Sequence, residues 1–263
     1  QDIPDSDRYL GQTPPGNVPE IFAPGILSLV GRSEYCISIS PSGKEITFAL
    51  GGWPTRKTMI VEYVNGAWTS PDTISFSETR SVDEAIFSPD GQRIYCYAYN
   101  SPNSMGGADL CYSQRTETGW SELVNLGSPL NTSQDEYHPC VVADGSIYFE
   151  NSPGRLCYSK FENGNYLPRV SLPTLFNDGT MAYGNPYLDP NESYFLFNSA
   201  RSGGFGATDF YISYKKENGS WTNPKNLGSQ INTNGSELAC DVTPDGQYMT
   251  FTRSGDFYWV STS

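Results

Sequence analysis

The sequence predicts an all-β fold, a five-bladed β-propeller built from four-stranded antiparallel blades. Three observations carry that expectation. A unit of roughly fifty residues recurs along the chain, and strand-rich repeats of that period mean a propeller or a solenoid. Each unit contains a tight turn of the Pro-Asp-Gly kind and, further on, a turn that ends in an aromatic residue. The segments between these turns are short and rich in Val, Ile, Tyr, Phe and Thr, with no sustained helical apolar period.

The first anchor appears as Pro41-Ser-Gly43, Pro89-Asp-Gly91, Ala143-Asp-Gly145, Asp189-Pro-Asn191 and Pro244-Asp-Gly246. Glycine and asparagine suit hairpins because they accept positive φ. The second anchor appears as Gly66-Ala-Trp68, Gly119-Trp120, Gly164-Asn-Tyr166 and Gly219-Ser-Trp221. Strand a of each unit precedes the first anchor and strand b follows it. Strand c is a segment such as Asp209-Phe-Tyr-Ile212, and strand d follows the aromatic and ends in a sequence such as Asn226-Leu-Gly228. The last unit stops after strand c, at Tyr258-Trp-Val-Ser261, whereas Pro19-Glu-Ile-Phe-Ala-Pro-Gly-Ile26 resembles the missing strand d. The last blade is therefore expected to be closed by an N-terminal strand, which removes the open sheet edge. Residues 1–18 read as an extended, proline-containing lead-in, and residues 19–263 as one propeller domain.

Strand a lies innermost in such a ring, and alternation separates its two faces. Counting back from Pro41, Pro89, Ala143, Pro190 and Pro244 of the first anchors, positions two and four are apolar in every unit and read as packing. Positions five and seven hold Cys36/Glu34, Glu84/Val82, His138/Glu136, Asn185/Tyr183 and Ala239/Glu237. This polar and variable set is expected to ring one mouth of the channel, where the b–c and d–a loops also meet.

Composition excludes some classes of function. A net charge of −13 argues against nucleic acid, whose binding needs a basic surface. No apolar run is long enough to span a membrane. Six cysteines without a Cys-x-x-Cys, beside a single histidine, give no zinc pattern, and no cofactor is expected. Register reasoning sets Cys96 opposite Cys111, where a disulfide and a pair of buried thiols both fit. Cys157 falls opposite Phe149 and is expected to be reduced.

Ser88-Pro-Asp-Gly91, Ser199-Ala-Arg-Ser-Gly-Gly-Phe-Gly-Ala-Thr-Asp-Phe-Tyr211 and the Trp221 to Gly228 segment resemble the bacterial PD40 (WD40-like, TolB-type) β-propeller family. So does the opening Tyr9-Leu-Gly-Gln-Thr-Pro-Pro-Gly16. The resemblance covers nearly the whole chain and implies a secreted or periplasmic protein. The family is functionally mixed, spanning envelope scaffolds, peptidase propellers and uronate lyases, and it brings no catalytic motif.

The candidate site follows from charge placement. Arg32, Arg56, Lys57, Arg80, Arg155, Arg201 and Arg253 fall on the mouth-side loops of an otherwise acidic chain, and Arg holds carboxylates in a bidentate fork. Trp53, Tyr99, Tyr183 and Phe205 offer stacking surfaces for sugar rings. The ligand set is Arg56, Arg80, Glu84, Glu136, His138, Arg155, Tyr183, Asn185, Arg201, Glu237 and Arg253. Against this stands a structural role for several members. Arg201 and Asp209 belong to the repeat and suit a loop brace. Glu34, Glu136 and Glu237 occupy equivalent positions and suit backbone N–H acceptors, or, if they converged, oxygen ligands for Ca²⁺. The expected function is a binding or scaffold module whose partner is an acidic glycan or a cell-envelope protein. The alternative is a lyase on uronate-containing glycan, with His138 or Tyr183 abstracting the proton and arginines neutralising the carboxylate.

Overall fold

In the computed structural model, described for residues 2–152, 154–179 and 184–263, five antiparallel sheets stand around a central axis. The innermost strands are Glu34–Ile39, Val82–Phe87, Glu136–Val141, Tyr187–Leu188 and Glu237–Val242. The second strands are Glu45–Leu50, Arg93–Tyr99, Ile147–Asn151, Tyr194–Ser199 and Tyr248–Arg253. The third are Lys57–Val64, Ala108–Thr116, Arg155–Ser159, Asp209–Tyr214 and Asp256–Ser261. Short outer strands complete the first four blades. The fifth is completed from the other end of the chain: Glu20 pairs with Trp259 and Ile21 with Tyr258.

The apolar core lies between blades rather than on the axis. Each of the five interfaces has its own cluster, such as Ile60, Phe76, Phe87 and Ile94 between blades one and two. At the closure, Phe22 and Trp259 pack with Ile37 and Phe48. The aromatic turn anchors Trp68, Trp120 and Trp221 cover the outer ends of three of these clusters. Large aromatic side chains such as Phe48, Phe149, Phe195 and Phe251 are fully buried in these gaps.

The repeated motif is a brace. Asp209 accepts the N–H groups of Phe205 (2.6 Å) and Gly206 (3.1 Å) and the Asn226 amide (2.8 Å). Asn226 in turn accepts the Gly228 N–H, and Asn232 bonds both backbone groups of Phe210. Blade two repeats the arrangement with Asp109, Asn125, Gly127 and Asn131. The repeated motif thus serves to satisfy backbone groups that the loop leaves outside the ladders.

The lead-in carries a short 3₁₀ turn, Arg8–Gly11, and is docked on blades five and one. The Tyr9 ring packs on Tyr248 and Trp259 while its hydroxyl donates to Asp245 at 2.8 Å. Tyr63 and the Trp68 indole both donate to Asp7. Among the described residues, no helix is long and apolar enough to cross a membrane.

Candidate functional site

Every inner strand breaks its alternation at the same place. Cys36, Glu84, His138, Asn185 and Ala239, all five residues before the first anchor, have φ between 36° and 53°. In blades one, two, three and five the pairing register shifts at this residue, the signature of a β-bulge. None of the five is glycine, and a left-handed conformation costs an ordinary residue about 1–2 kcal/mol. Strain repeated around a ring is found where surroundings hold it in place, and it clusters at functional sites.

The bulges change which side chains reach the axis. Position five converges there, as the sequence suggests, but position seven does not. An extra residue at five inverts the alternation above it, so position six (Tyr35, Asp83, Tyr137) joins the mouth. Position seven turns between loops and blades. Glu136 accepts the N–H (3.1 Å) and hydroxyl (2.7 Å) of Thr132 and pairs with Arg169 at 2.6 Å. Glu237 makes the matching bonds with Thr233 and pairs with Arg253 at 3.0 Å. Glu34 pairs with Arg32 at 2.5 Å. These three carboxylates do not converge. Tyr183 lies outside the described residues.

At the axis, Glu84 and His138 form a buried pair. The Glu84 carboxylate accepts the His138 backbone N–H at 2.6 Å through Oε2, and its Oε1 lies 3.1 Å from the ring Nδ1. The Asn185 amide nitrogen is 3.2 Å from the same ring nitrogen and 3.3 Å from the Tyr35 hydroxyl, and Asn185 Oδ1 accepts the Ala239 N–H at 3.3 Å. All five blades are thereby tied together across the channel. Glu150 lies alongside and accepts the Gly184 N–H at 2.6 Å. Burial, reinforced by the charge of Glu84, pushes the Glu150 carboxyl up to about 7. Burial works against charging His138, but the adjoining Glu84 outweighs it and holds the imidazole above its ordinary value.

Above this floor stands an aromatic wall. The Arg56 guanidinium lies 4.0 Å over the Tyr35 ring and bonds Asp83 at 2.8 Å. Asp83 also accepts the Tyr97 hydroxyl at 3.0 Å, and the Tyr97 ring meets Tyr137 edge-on at 5.0 Å and Tyr99 at 6.0 Å. Trp53, on the neighbouring loop of blade one, is 61% exposed, and Phe205 on the corresponding loop of blade four is 50% exposed.

The mouth-side cations are largely occupied. Arg201 bonds Asp178 at 3.0 Å and the Leu175 carbonyl at 2.6 Å, so it braces a loop. Arg253 likewise bonds the Ile231 carbonyl at 2.6 Å, and Lys57 donates to the carbonyls of Ser77, Glu78 and Arg80. Arg80 stands 4.0 Å from Glu122, and Arg155 is exposed at the start of its strand. Of the predicted set, the structure brings together Glu84, His138 and Asn185 at the axis, with Arg56 beside them. Asp83, Glu150, Tyr35 and Tyr97 complete the group. Tyr35 and Asp83 escape a period-two reading because the bulge beside them leaves no mark in the sequence, and Tyr97 and Glu150 escape it because they stand on the second strands.

No protein-family model matches the chain, and no curated protein matches it in sequence. Solved structures match its shape. A putative TolB from Agrobacterium tumefaciens superposes with a TM-score of 0.54 at 14% identity, covering 84% of this chain and 69% of that one. TolB from Acinetobacter baumannii gives 0.51 at 15% identity, covering 88% of this chain and 52% of that one. An α-L-arabinofuranosidase from Podospora anserina, in complex with cellotriose, gives 0.58 at 11% identity and covers 94% and 96%. At such identities the likeness is one of fold, and what these comparisons and the strand topology establish together is that the chain is a five-bladed β-propeller.

Proposed function

We propose that this protein is a binding module whose loop-end mouth takes a neutral, hydroxyl-rich ligand such as the end of a glycan chain. The observation that carries the reading is the aromatic wall of Tyr35, Tyr97, Tyr99, Tyr137 and Trp53 standing over a floor of hydrogen-bonding groups. Sugar rings stack on exposed aromatic faces such as Trp53, and their hydroxyls can bond the partly exposed Tyr99 and Tyr137. An acidic glycan fits less well. Asp83, Glu84 and Glu150 crowd the axis, and Arg56 is already engaged by Asp83. The lyase reading needs an accessible base, but His138 is 2% exposed and its Nδ1 is enclosed by Glu84 and Asn185. One structural neighbour was solved with cellotriose, so the fold can host a neutral oligosaccharide. A secreted or periplasmic location suits this role.

The test is calorimetric titration with neutral and uronate-containing oligosaccharides, with absorbance of unsaturated uronates followed in parallel. Neutral chains should bind, and Trp53→Ala should weaken them about tenfold, as expected for one lost stacking ring, without lowering Tm. Binding confined to acidic chains, or appearance of unsaturated product, would return the argument to the uronate readings. Silence toward all glycans, with capture of a cell-envelope protein, would make the face a protein-docking surface.

A further inference from the structure

The opposite end of the axis, where the Pro-Asp-Gly turns meet, holds a separate cavity of about 230 Å³. Each blade contributes the residue three before its turn: Ser38, Ile86, Cys140, Tyr187 and Asp241. Pro41, Pro89, Pro190 and Pro244 form an apolar rim. Among the described residues of this lining, Asp241 and Asp189 are the only charged side chains. Asp189 is spent on its own turn, accepting from Asn191 and from the backbone and hydroxyl of Ser193. Among the described residues, no Lys, Arg or His lines the space.

Asp241 is therefore a carboxyl at the base of an apolar funnel, 8% exposed, held by the Val242 N–H at 2.8 Å and by the Ser38 hydroxyl. Burying a carboxylate without a counter-charge is costly. Burial, opposed by the Ser38 hydroxyl and the Val242 N–H, pushes this one up to about 6. The volume lies below the roughly 300–1,000 Å³ typical of drug-sized ligands and suits one long side chain. The walls suit it too, since a methylene stem packs on proline and isoleucine while its charged head reaches the acid. The Tyr187 ring offers a further surface to a cation. A net charge of −13, with Asp90 and Asp245 on neighbouring turns, draws cations to this end.

We propose that the turn end of the channel binds a single alkylammonium or guanidinium group, with its head at Asp241 and its stem against Ile86 and the proline rim. The group arrives either on a Lys or Arg side chain of a partner or as a small free amine. The site is independent of the loop-end mouth and does not rest on its proposed function.

The experiment titrates the protein with pentylammonium chloride, with the blocked amides N-acetyl-lysine amide and N-acetyl-arginine amide, and with 1-pentanol as the neutral isostere. Binding is read by calorimetry and by the Ile86 methyl resonance. The cations should bind and shift that methyl, and 1-pentanol should do neither. Asp241→Asn should weaken cation binding about tenfold or more, the loss of one charge-assisted hydrogen bond. Because Asp241→Asn changes a buried group, Ile86→Phe provides a second variant, one that fills the cavity while keeping the acid; it too should abolish binding. Circular dichroism confirms that each variant is folded. Equal binding of pentanol and pentylammonium, an unshifted Ile86 methyl, or full binding by a folded Asp241→Asn variant overturns the proposal. Binding of the blocked amides without the free amine assigns a polypeptide source, and the reverse assigns a small amine.

Discussion

Glu84 holds His138 at two points, taking its backbone N–H at 2.6 Å with one carboxylate oxygen and facing its ring Nδ1 at 3.1 Å with the other. The two residues lie on the inner strands of adjacent blades, each at a bulge with left-handed φ. One carboxylate therefore fixes both the strained backbone and the ring of its neighbour. Glu84→Ala leaves a buried imidazole and a buried N–H without their acceptor. Breaking a buried charged pair from one side costs about 3–5 kcal/mol, and urea unfolding followed by tryptophan fluorescence should show a loss of that size.

Stability should fall as pH rises through neutrality. Burial holds Glu150 at about 7 against an ordinary 4.5, and Asp241 at about 6 against 3.8. His138 is held above its ordinary value by Glu84, in spite of burial. All three bind their protons more tightly folded than unfolded. Their contribution is present below the unfolded values and is lost as pH climbs through the folded ones. Thermal melts should give a decreasing Tm between about pH 5 and pH 8, and Glu150→Gln should flatten that slope. An unchanged slope in the variant would remove Glu150 from the account.

Two glycines on the mouth-side loops should respond oppositely to alanine. A Cβ at Gly206 would meet the Gly235 carbonyl and the Thr233 carbonyl at 2.2 and 2.5 Å, both backbone atoms. Gly206→Ala should cost about 1–3 kcal/mol as overpacking. A Cβ at Gly52 meets nothing within 4 Å, and Gly52→Ala should stay within about 0.5 kcal/mol of wild type. Chemical denaturation of the two variants separates close packing in the brace from mere loop membership.

All six cysteines are free and buried. Cys96 and Cys111 do lie opposite each other, as their register implies, and Cys157 faces Phe149. Burial raises the Cys96 thiol well above its ordinary value and Cys111 to about 12, so neither is a ready nucleophile. A thiol reagent should find no fast-reacting group in the native protein and six in denaturant. Dithiothreitol should leave Tm unchanged. A count of four in denaturant would place a disulfide between the facing pair.

The ring was legible in the sequence because its determinants are local and repeated. Turn residues mark each hairpin, and the Phe251–Tyr258 and Cys96–Cys111 pairings follow by counting outward from them. The seat of Glu20–Ile21 was legible from what the last blade lacked. The mouth was legible only in part. Glu84, His138 and Asn185 meet as alternation suggests, whereas Glu136 and Glu237 turn to Arg169 and Arg253. The reason is the bulge, a backbone event that shifts parity without requiring glycine. The anion-binding expectation weakened for a related reason. A sequence shows where arginines fall but not that Arg201 and Arg253 are consumed by loop carbonyls.

The pairing of Glu20–Ile21 with Tyr258–Trp259 also dictates an order of assembly. The first strand of the propeller in chain order is the last to find its partner, because that partner is the propeller's last strand. The four earlier blades can form in sequence from neighbouring hairpins, while the opening segment, with Phe22 exposed, must wait. Long-range contacts of this kind slow folding and leave sticky intermediates. A permuted propeller that begins at a loop between blades, with Ser261 linked directly to the segment before Glu20, would make the closing strand adjacent to its partner and spare the nascent chain that delay.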